Sequence, residues 1–269
     1  MSERTEEVCG HVKEHMLQKK NVVGLAGGRD LLLVFVEKKE PLSALAEEDV
    51  VDPEVEGVGT DVIEVGRIEA KLRAGDSIGL RDAGTGTLGG LVVDELGRCY
   101  VLTNNHVAAN SNRARALDAV HHPGPADGLG ARFGKLARFE PIYFDHPNYV
   151  DAALVALDDA EHRVESFSRT TTATARVGWR VQKRGRTTGH NEGAVIGRNA
   201  AVNVSFGALG VARFENQIVT THMLDPGDSG SVLRSRGGYP LALGFAGSDT
   251  ISLHNPINLV LRTLGVRFA

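Results

Sequence analysis

A serine between two glycines, preceded by a proline and an acid, stands at Pro226-Gly227-Asp228-Ser229-Gly230-Ser231. Gly227 and Gly230 remove Cβ atoms that would crowd a backbone approaching a ligand, and Pro226 fixes φ at the entry. This design predicts a rigid turn that presents the Ser229 hydroxyl with the N–H groups of Gly227 and Ser229 beside it. Two such N–H groups suit the oxyanion of a tetrahedral acyl-transfer intermediate. The plain alternative is an Asp-Ser-Gly surface turn, because these residues dominate turns.

A serine hydroxyl needs a base to become a nucleophile. The chain offers His106 in Thr103-Asn104-Asn105-His106-Val107-Ala108-Ala109, directly after the apolar run Cys99-Tyr100-Val101-Leu102. It offers Asp151 in Asn148-Tyr149-Val150-Asp151-Ala152-Ala153-Leu154, a lone acid opening an apolar run. A buried acid needs a partner, and a histidine N–H would supply one. The order His106, Asp151, Ser229 is that of a chymotrypsin-type triad; the α/β-hydrolase order runs Ser, acid, His. The residue after Gly230 is Ser231, and the G-x-S-x-G elbow is not met. The spacings leave room for one barrel around His106 and Asp151 and a second around Ser229.

These segments carry a resemblance. The chain resembles the trypsin/chymotrypsin-fold serine proteases, and among them the non-secreted trypsin-like proteases of prokaryotes and the plant narrow-leaf type. The similar stretches are GTLGGLVVDELGRCYVLTNNHVAA, HPGPADG, VDAALVAL, RGRTTGHNEG, PGDSGSVL and LGFAGSDTISLHNPINLVL, within roughly residues 70–269. TNNHV is also similar to HtrA-type proteases.

The resemblance implies a mainly β fold, a double six-stranded β-barrel. It implies that the strand at 241–248 lies beside the nucleophile and pairs with substrate main chain as an added β-strand. It implies a specificity pocket floored by Met223 and walled by Phe245, Ala246 and Gly247, favouring small or medium apolar side chains. His222 and His254 leave an acidic preference open, should either point inward and carry a proton. Digestive relatives place a serine where Phe245 stands, so Asp151 is expected to be held by backbone N–H groups near His106 or by a group the sequence does not identify. No Ile-Val-Gly-Gly start is present, so the intact chain is expected to be competent, with Asp228 satisfied internally.

Composition fits a globular protein with a sizeable core: 269 residues, 42% hydrophobic and 24% charged. Thirty-two glycines with 5% aromatics favour many turns and strands lined by Val, Leu and Ala. A net charge of −4 argues against a nucleic-acid surface. Two cysteines, Cys9 and Cys99, are too few for a disulfide-stapled secreted protease. The charged start lacks the apolar core of a signal peptide, and Leu31 to Val36 is too short to span a bilayer. These features predict a cytoplasmic protein with neither a membrane nor a nucleic-acid partner.

Residues 1–68 read as a small α+β unit, and 69–269 as the protease domain. A helix is expected over 2–18, capped by Ser2. Strands at 21–26 and 31–36 would join through Gly27-Gly28-Arg29-Asp30, followed by a short helix from Pro41 to Glu48 and a strand from Thr60 to Val65. From about residue 70, short apolar runs broken by Gly, Asp and Asn predict strands. Residues 110–149 read as loop-rich and HPGPADG as a turn cluster; Thr187-Thr188-Gly189 resembles the hairpin that opens the second barrel of this fold, with turn chemistry alone as its plain explanation. His121, His122, His146, His162 and His190 read as solvated.

The expected function is a serine endopeptidase acting on protein or peptide substrates, without metal or cofactor. His106 would take the Ser229 proton and Asp151 would orient the imidazole. Two alternatives stand beside it. One is a protease-fold binding module without activity. The other is a zinc peptidase using His11-Val12-Lys13-Glu14-His15, an H-x-x-E-H pattern whose histidines share a helix face; a solvated face is its plain explanation.

Overall fold

The computed structural model describes residues 3–66, 72–158, 164–165 and 167–269. The Ser2 cap, His162 and the expected boundary at 68/69 lie outside the described residues. The chain forms two compact units, Met1–Ala70 and Lys71–Ala269.

In the first unit the helix Glu3–Met16 buries Val8 and Met16. It covers a four-stranded sheet ordered Val22–Gly27, Leu32–Val36, Val58–Glu64, Glu54–Val55. Strand alternation puts Leu32, Val34 and Val36 on the buried face. Leu32–Val36 runs parallel to Val58–Glu64. The expected helix at Pro41–Glu48 is replaced by two single 3-10 turns, Leu42–Ala44 and Glu47–Asp49. Neither turn buries a side chain, so no apolar face is available to hold a longer helix.

The second unit is mainly β and is built from two curled sheets. The first has eight strands in the order Val266–Phe268, Gly90–Asp94, Cys99–Thr103, Ala153–Leu157, Ala131–Phe139, Ala119–His122, Ser77–Leu80, Thr85–Thr87. The second is a closed six-stranded barrel of Arg180–Gly185, Gly189–Ser205, Val211–Thr221, Ile251–Pro256, Pro240–Gly247 and Val232–Ser235. Each has its own interior, around Ile78, Val101, Val120 and Val155 in the first and Val181, Val195, Ile218 and Leu233 in the second. A third apolar cluster joins Leu102 and Leu154 of the first sheet to Val232 and Leu243 of the second and to the helix Ile257–Leu264.

The span 110–149 is more ordered than its polar composition predicts. It contains Ala119–His122 and the nine-residue strand Ala131–Phe139. His121 is buried with Nδ1 at 3.0 Å from Gly130 O, and His122 Nδ1 meets Ser77 O at 2.8 Å. Both expectations of solvated rings are thereby corrected; sheet pairing with Ser77–Leu80 draws these histidines in. Among the described residues no helix is long and apolar enough to cross a membrane.

Candidate active site

Cys99–Thr103 and Ala153–Leu157 are neighbouring strands, with Thr103 opposite Ala153. His106 sits on the one-turn helix Asn105–Ala108 just past the first, and Asp151 just before the second. Their side chains therefore meet. His106 Nδ1 lies 2.5 Å from Asp151 Oδ2, and the His106 backbone N–H donates to Asp151 Oδ1 at 3.2 Å. Asp151 is fully buried and His106 partly exposed.

The aspartate is also held from behind. Asn104 Nδ2 donates to Asp151 O at 2.6 Å, and the Asp151 N–H donates to Asn255 Oδ1 at 3.0 Å. Asn255 Nδ2 continues to Gln217 Oε1 at 2.7 Å, and Gln217 Nε2 to Tyr149 O at 2.9 Å. Asn104, Asn255 and Gln217 are fully buried. These bonds hold the Asp151 backbone on both sides of its carboxylate, although Asn104 Oδ1 itself is buried without a partner among the described residues. They operate alongside the expected backbone N–H of His106.

Ser229 stands in a tight loop at the seam. Asp228 N donates to Asp225 O at 2.9 Å, closing a turn with Pro226 and Gly227 at its centre. Gly227 has φ +101°, a conformation open to glycine. Thr87 N donates to Ser229 O at 2.7 Å, tying the loop to the first sheet. Among the described residues the N–H groups of Gly227 and Ser229 meet no protein acceptor. Gly86 brings Val107, next to His106, within reach of Ser229: a Cβ at Gly86 would lie 2.9 Å from Ser229 O and against the Val107 methyls. The Ser229 hydroxyl donates to Phe245 O at 3.3 Å, and among the described residues it makes no hydrogen bond to His106.

Asp228 is satisfied internally. Its carboxylate accepts from Lys183 Nζ at 2.7 Å, Thr187 N at 2.9 Å, Thr188 N at 3.1 Å, Thr188 Oγ1 at 2.8 Å and Asp225 N at 3.1 Å. Lys183 also donates to Thr188 Oγ1. Burial opposes ionisation of Asp228, but the Lys183 ammonium and these N–H groups outweigh it and hold the carboxyl below the usual carboxylate range.

A cleft of about 620 Å³ opens beside His106, lined by Val202, Val204, Phe206, Phe245, Ala246, Gly247 and Leu253 among others. Phe206, at the tip of the hairpin of Gly189–Ser205 and Val211–Thr221, meets the His106 ring edge-on with centroids 6.3 Å apart. It stacks on Phe214, which packs on Phe245. Met223 is elsewhere. It is fully buried in the second barrel's interior, where a Cβ at Gly193 would come 2.7 Å from its Sδ, and it is not among the residues lining this cleft.

The other histidines have plain roles. His254 is fully buried, with Nε2 2.9 Å from Thr220 Oγ1 and Nδ1 unpartnered among the described residues. Burial, helped by the Lys183 charge, pushes its pKa down to about 3, so the ring is neutral. His222 places Nδ1 at 2.8 Å from Ser248 O and Nε2 at 3.1 Å from Asp225. In the first unit His11 faces Glu56 at 3.5 Å, both well exposed, and among the described residues no three metal-ligating groups converge.

Lys183, Asn255 and Gln217 escaped the sequence reading. Lys183 had a signal: it shares the inward parity of Val181 and Gly185 on its strand. A lysine at such a position needs a buried anion.

No family model matches the chain, and no curated protein sequence does. Solved structures do match its fold. Nocardiopsis protease aligns at TM-score 0.56 and 19% identity, over 74% of this chain and 99% of that one. Thermobifida fusca protease A aligns at 0.57 and 19%, over 74% and 99%. A glutamic acid-specific serine protease, described as using a histidine triad in substrate binding, aligns at 0.56 and 20%, over 74% and 100%.

Proposed function

We propose that this chain, which carries the chymotrypsin-type serine protease fold, is a serine endopeptidase with His106, Asp151 and Ser229 as its triad. The observation that carries the reading is the 2.5 Å contact of His106 Nδ1 with a fully buried Asp151 carboxylate, beside a serine flanked by two unengaged N–H groups. Nδ1–H on the aspartate leaves Nε2 as the acceptor for the Ser229 proton. Ser229 attacks the scissile carbonyl, and the N–H groups of Gly227 and Ser229 hold the oxyanion. His106 then protonates the leaving amine, and water resolves the acyl-enzyme. Asp151 stabilises the imidazolium throughout.

Substrate would lie along Phe245, Ala246 and Gly247, with an apolar side chain in the cleft. None of the residues lining that cleft is an acid, a lysine or an arginine. A buried cation or carboxylate from substrate would go uncompensated there. The neutral, fully buried His254 supplies no countercharge, which favours apolar over acidic substrates. Met223 sits too deep to contact them. The free thiols of Cys9 and Cys99 suit a reducing compartment, and we assign the chain to the cytoplasm; fractionation tests that assignment.

A second reading has its own observation. The Ser229 hydroxyl donates to Phe245 O and not to His106, which suits a protease-fold binding module without activity. A fluorophosphonate probe separates the two, because it reacts only with an activated serine. Labelling of the wild type and not of Ser229→Ala supports the peptidase; an unlabelled wild type supports the binding module.

A further inference from the structure

Two stretches remain without a role, HPGPADG at 122–128 and RGRTTG at 184–189. They meet each other beneath the nucleophile loop. Asp127 closes the single 3-10 turn Pro125–Asp127 at the first sheet, and Arg186 follows the barrel strand Arg180–Gly185. Arg186 Nε and Nη2 donate to the two Asp127 oxygens at 2.6 and 2.5 Å. Ser77 Oγ donates to the same carboxylate at 2.5 Å.

The third guanidinium nitrogen points on. Arg186 Nη1 donates to Thr187 Oγ1 at 3.1 Å, and Thr187 Oγ1 lies 2.7 Å from Pro226 O. A guanidinium has no acceptor. It therefore takes a lone pair of the threonine oxygen, and the hydroxyl proton is left for Pro226 O. The order of donation is fixed from Arg186, held by Asp127, through Thr187 to the nucleophile loop.

Pro226 O belongs to the central peptide of the turn Asp225–Asp228. Gly227 at φ +101° makes this turn type II. In a type I turn the same peptide is rotated by about half a turn, which carries the Gly227 N–H to the opposite side. Proline is accepted at the second position of both types, and glycine is free to adopt either φ. The local sequence thus leaves the orientation of this peptide undecided. Something outside the turn must choose it.

We propose that Thr187, ordered by the Asp127–Arg186 pair, is a positioning residue that latches the Pro226–Gly227 peptide so that the Gly227 N–H faces the oxyanion. The inference rests on the reading of Gly227 as an oxyanion donor. A second bond acts in the same sense: Thr87 Oγ1 accepts from Arg186 N at 3.0 Å and donates to Gly227 O at 2.8 Å. The two carbonyls flanking Asp228 on its N-terminal side are thereby both pinned. The latch spans the two sheets, so the oxyanion donor is set only when they are docked.

The test is Thr187→Val, nearly isosteric and without the hydroxyl, with Thr187→Ser as the conservative rescue. One hydrogen bond of ordinary net strength sets the turn equilibrium, so kcat should fall about three- to tenfold in Thr187→Val. KM should stay unchanged. Affinity for a peptidyl trifluoromethyl ketone, which forms the oxyanion, should fall by the same factor, and Thr187→Ser should restore both. Asp127→Asn should reproduce a part of the loss, and should add little in the double variant. Unchanged kcat and inhibitor affinity in Thr187→Val, or a change in KM alone, overturns the latch. Should the wild type resist the fluorophosphonate probe, the peptidase reading fails and the latch is judged by crystallography. A type I turn in Thr187→Val supports it, and an unchanged type II turn overturns it.

Discussion

Lys183 Nζ lies 2.7 Å from Asp228 Oδ2, and both side chains are wholly removed from solvent. One charge comes from a barrel strand and the other from the residue before the candidate nucleophile. Because the cation is an internal side chain, the nucleophile loop needs no ammonium group released by cleavage. The intact chain is therefore expected to react with a fluorophosphonate probe. Mass spectrometry of the labelled species checks this; label found only on a shortened chain would count against it.

Breaking the pair from one side leaves a buried charge alone. Lys183→Met is expected to cost roughly 3–5 kcal/mol of stability and to abolish probe labelling, because the loop carrying Ser229 and Gly227 loses its anchor. Denaturant unfolding of the variant reads the first effect. A stability change below ~1 kcal/mol would mean that the N–H groups of Thr187, Thr188 and Asp225 suffice without the ammonium.

Asp151→Asn keeps the shape and removes the charge that selects the imidazole tautomer. It should lower kcat by about 10⁴, as the same exchange does in a chymotrypsin-type triad. Asn255→Leu leaves the Asp151 N–H and Gln217 Oε1 without their partners and should cost on the order of 1–3 kcal/mol. Steady-state kinetics and denaturant unfolding measure the two, and a silent Asp151→Asn would remove Asp151 from the triad.

His254 links stability to acidity. Its folded-state pKa of about 3 lies below its ordinary value of 6.5. The unfolded chain therefore takes up a proton that the folded chain refuses. This residue contributes no pH dependence above about 6.5. Between there and about 3 it removes stability, approaching 1.4 kcal/mol per pH unit. Stability measured against pH should show a shallower acid limb in His254→Asn. An equal slope in both proteins would refute the assignment.

Phe206 covers one side of His106 and walls the apolar cleft. Phe206→Ala should therefore reduce kcat/KM most for peptides with large apolar residues before the scissile bond. A peptide-library profile reads this directly. Dominant cleavage after Arg or Lys would contradict the uncharged cleft.

As candidate site residues, His106, Asp151 and Ser229 stand out in the sequence because each lies at a local change of texture. An apolar strand ends just before His106, and apolar strands begin just after Asp151 and Ser229. Their partners do not stand out, for a reason of geometry. Lys183 meets Asp228, and Asn255 meets Asp151, only after barrel closure and sheet docking bring distant strands together. The second barrel itself could be read from its short apolar runs. The span 110–149 could not, because Ala131–Phe139 carries Arg132, Lys135 and Arg138 on a strand paired on both sides, and tertiary pairing overrides its polar composition. Met223, reached by counting back from Ser229, lies where the chain turns inward, with Ser252 Oγ accepting both the Met223 and Leu224 N–H groups.

The first eight-stranded sheet is finished by the strand Val266–Phe268, which pairs with Gly90–Asp94. More than 160 residues lie between these partners in the chain. A ribosome that has released Ser229 but not Phe268 thus holds a nucleophile without a completed scaffold for His106 and Asp151. Domains emerge N-terminal part first, yet this one assembles its chemistry from both ends. For the peptidase proposed above, synthesis would then act as a safety interval, in which the growing chain carries its candidate triad before the strand that completes the first sheet has emerged.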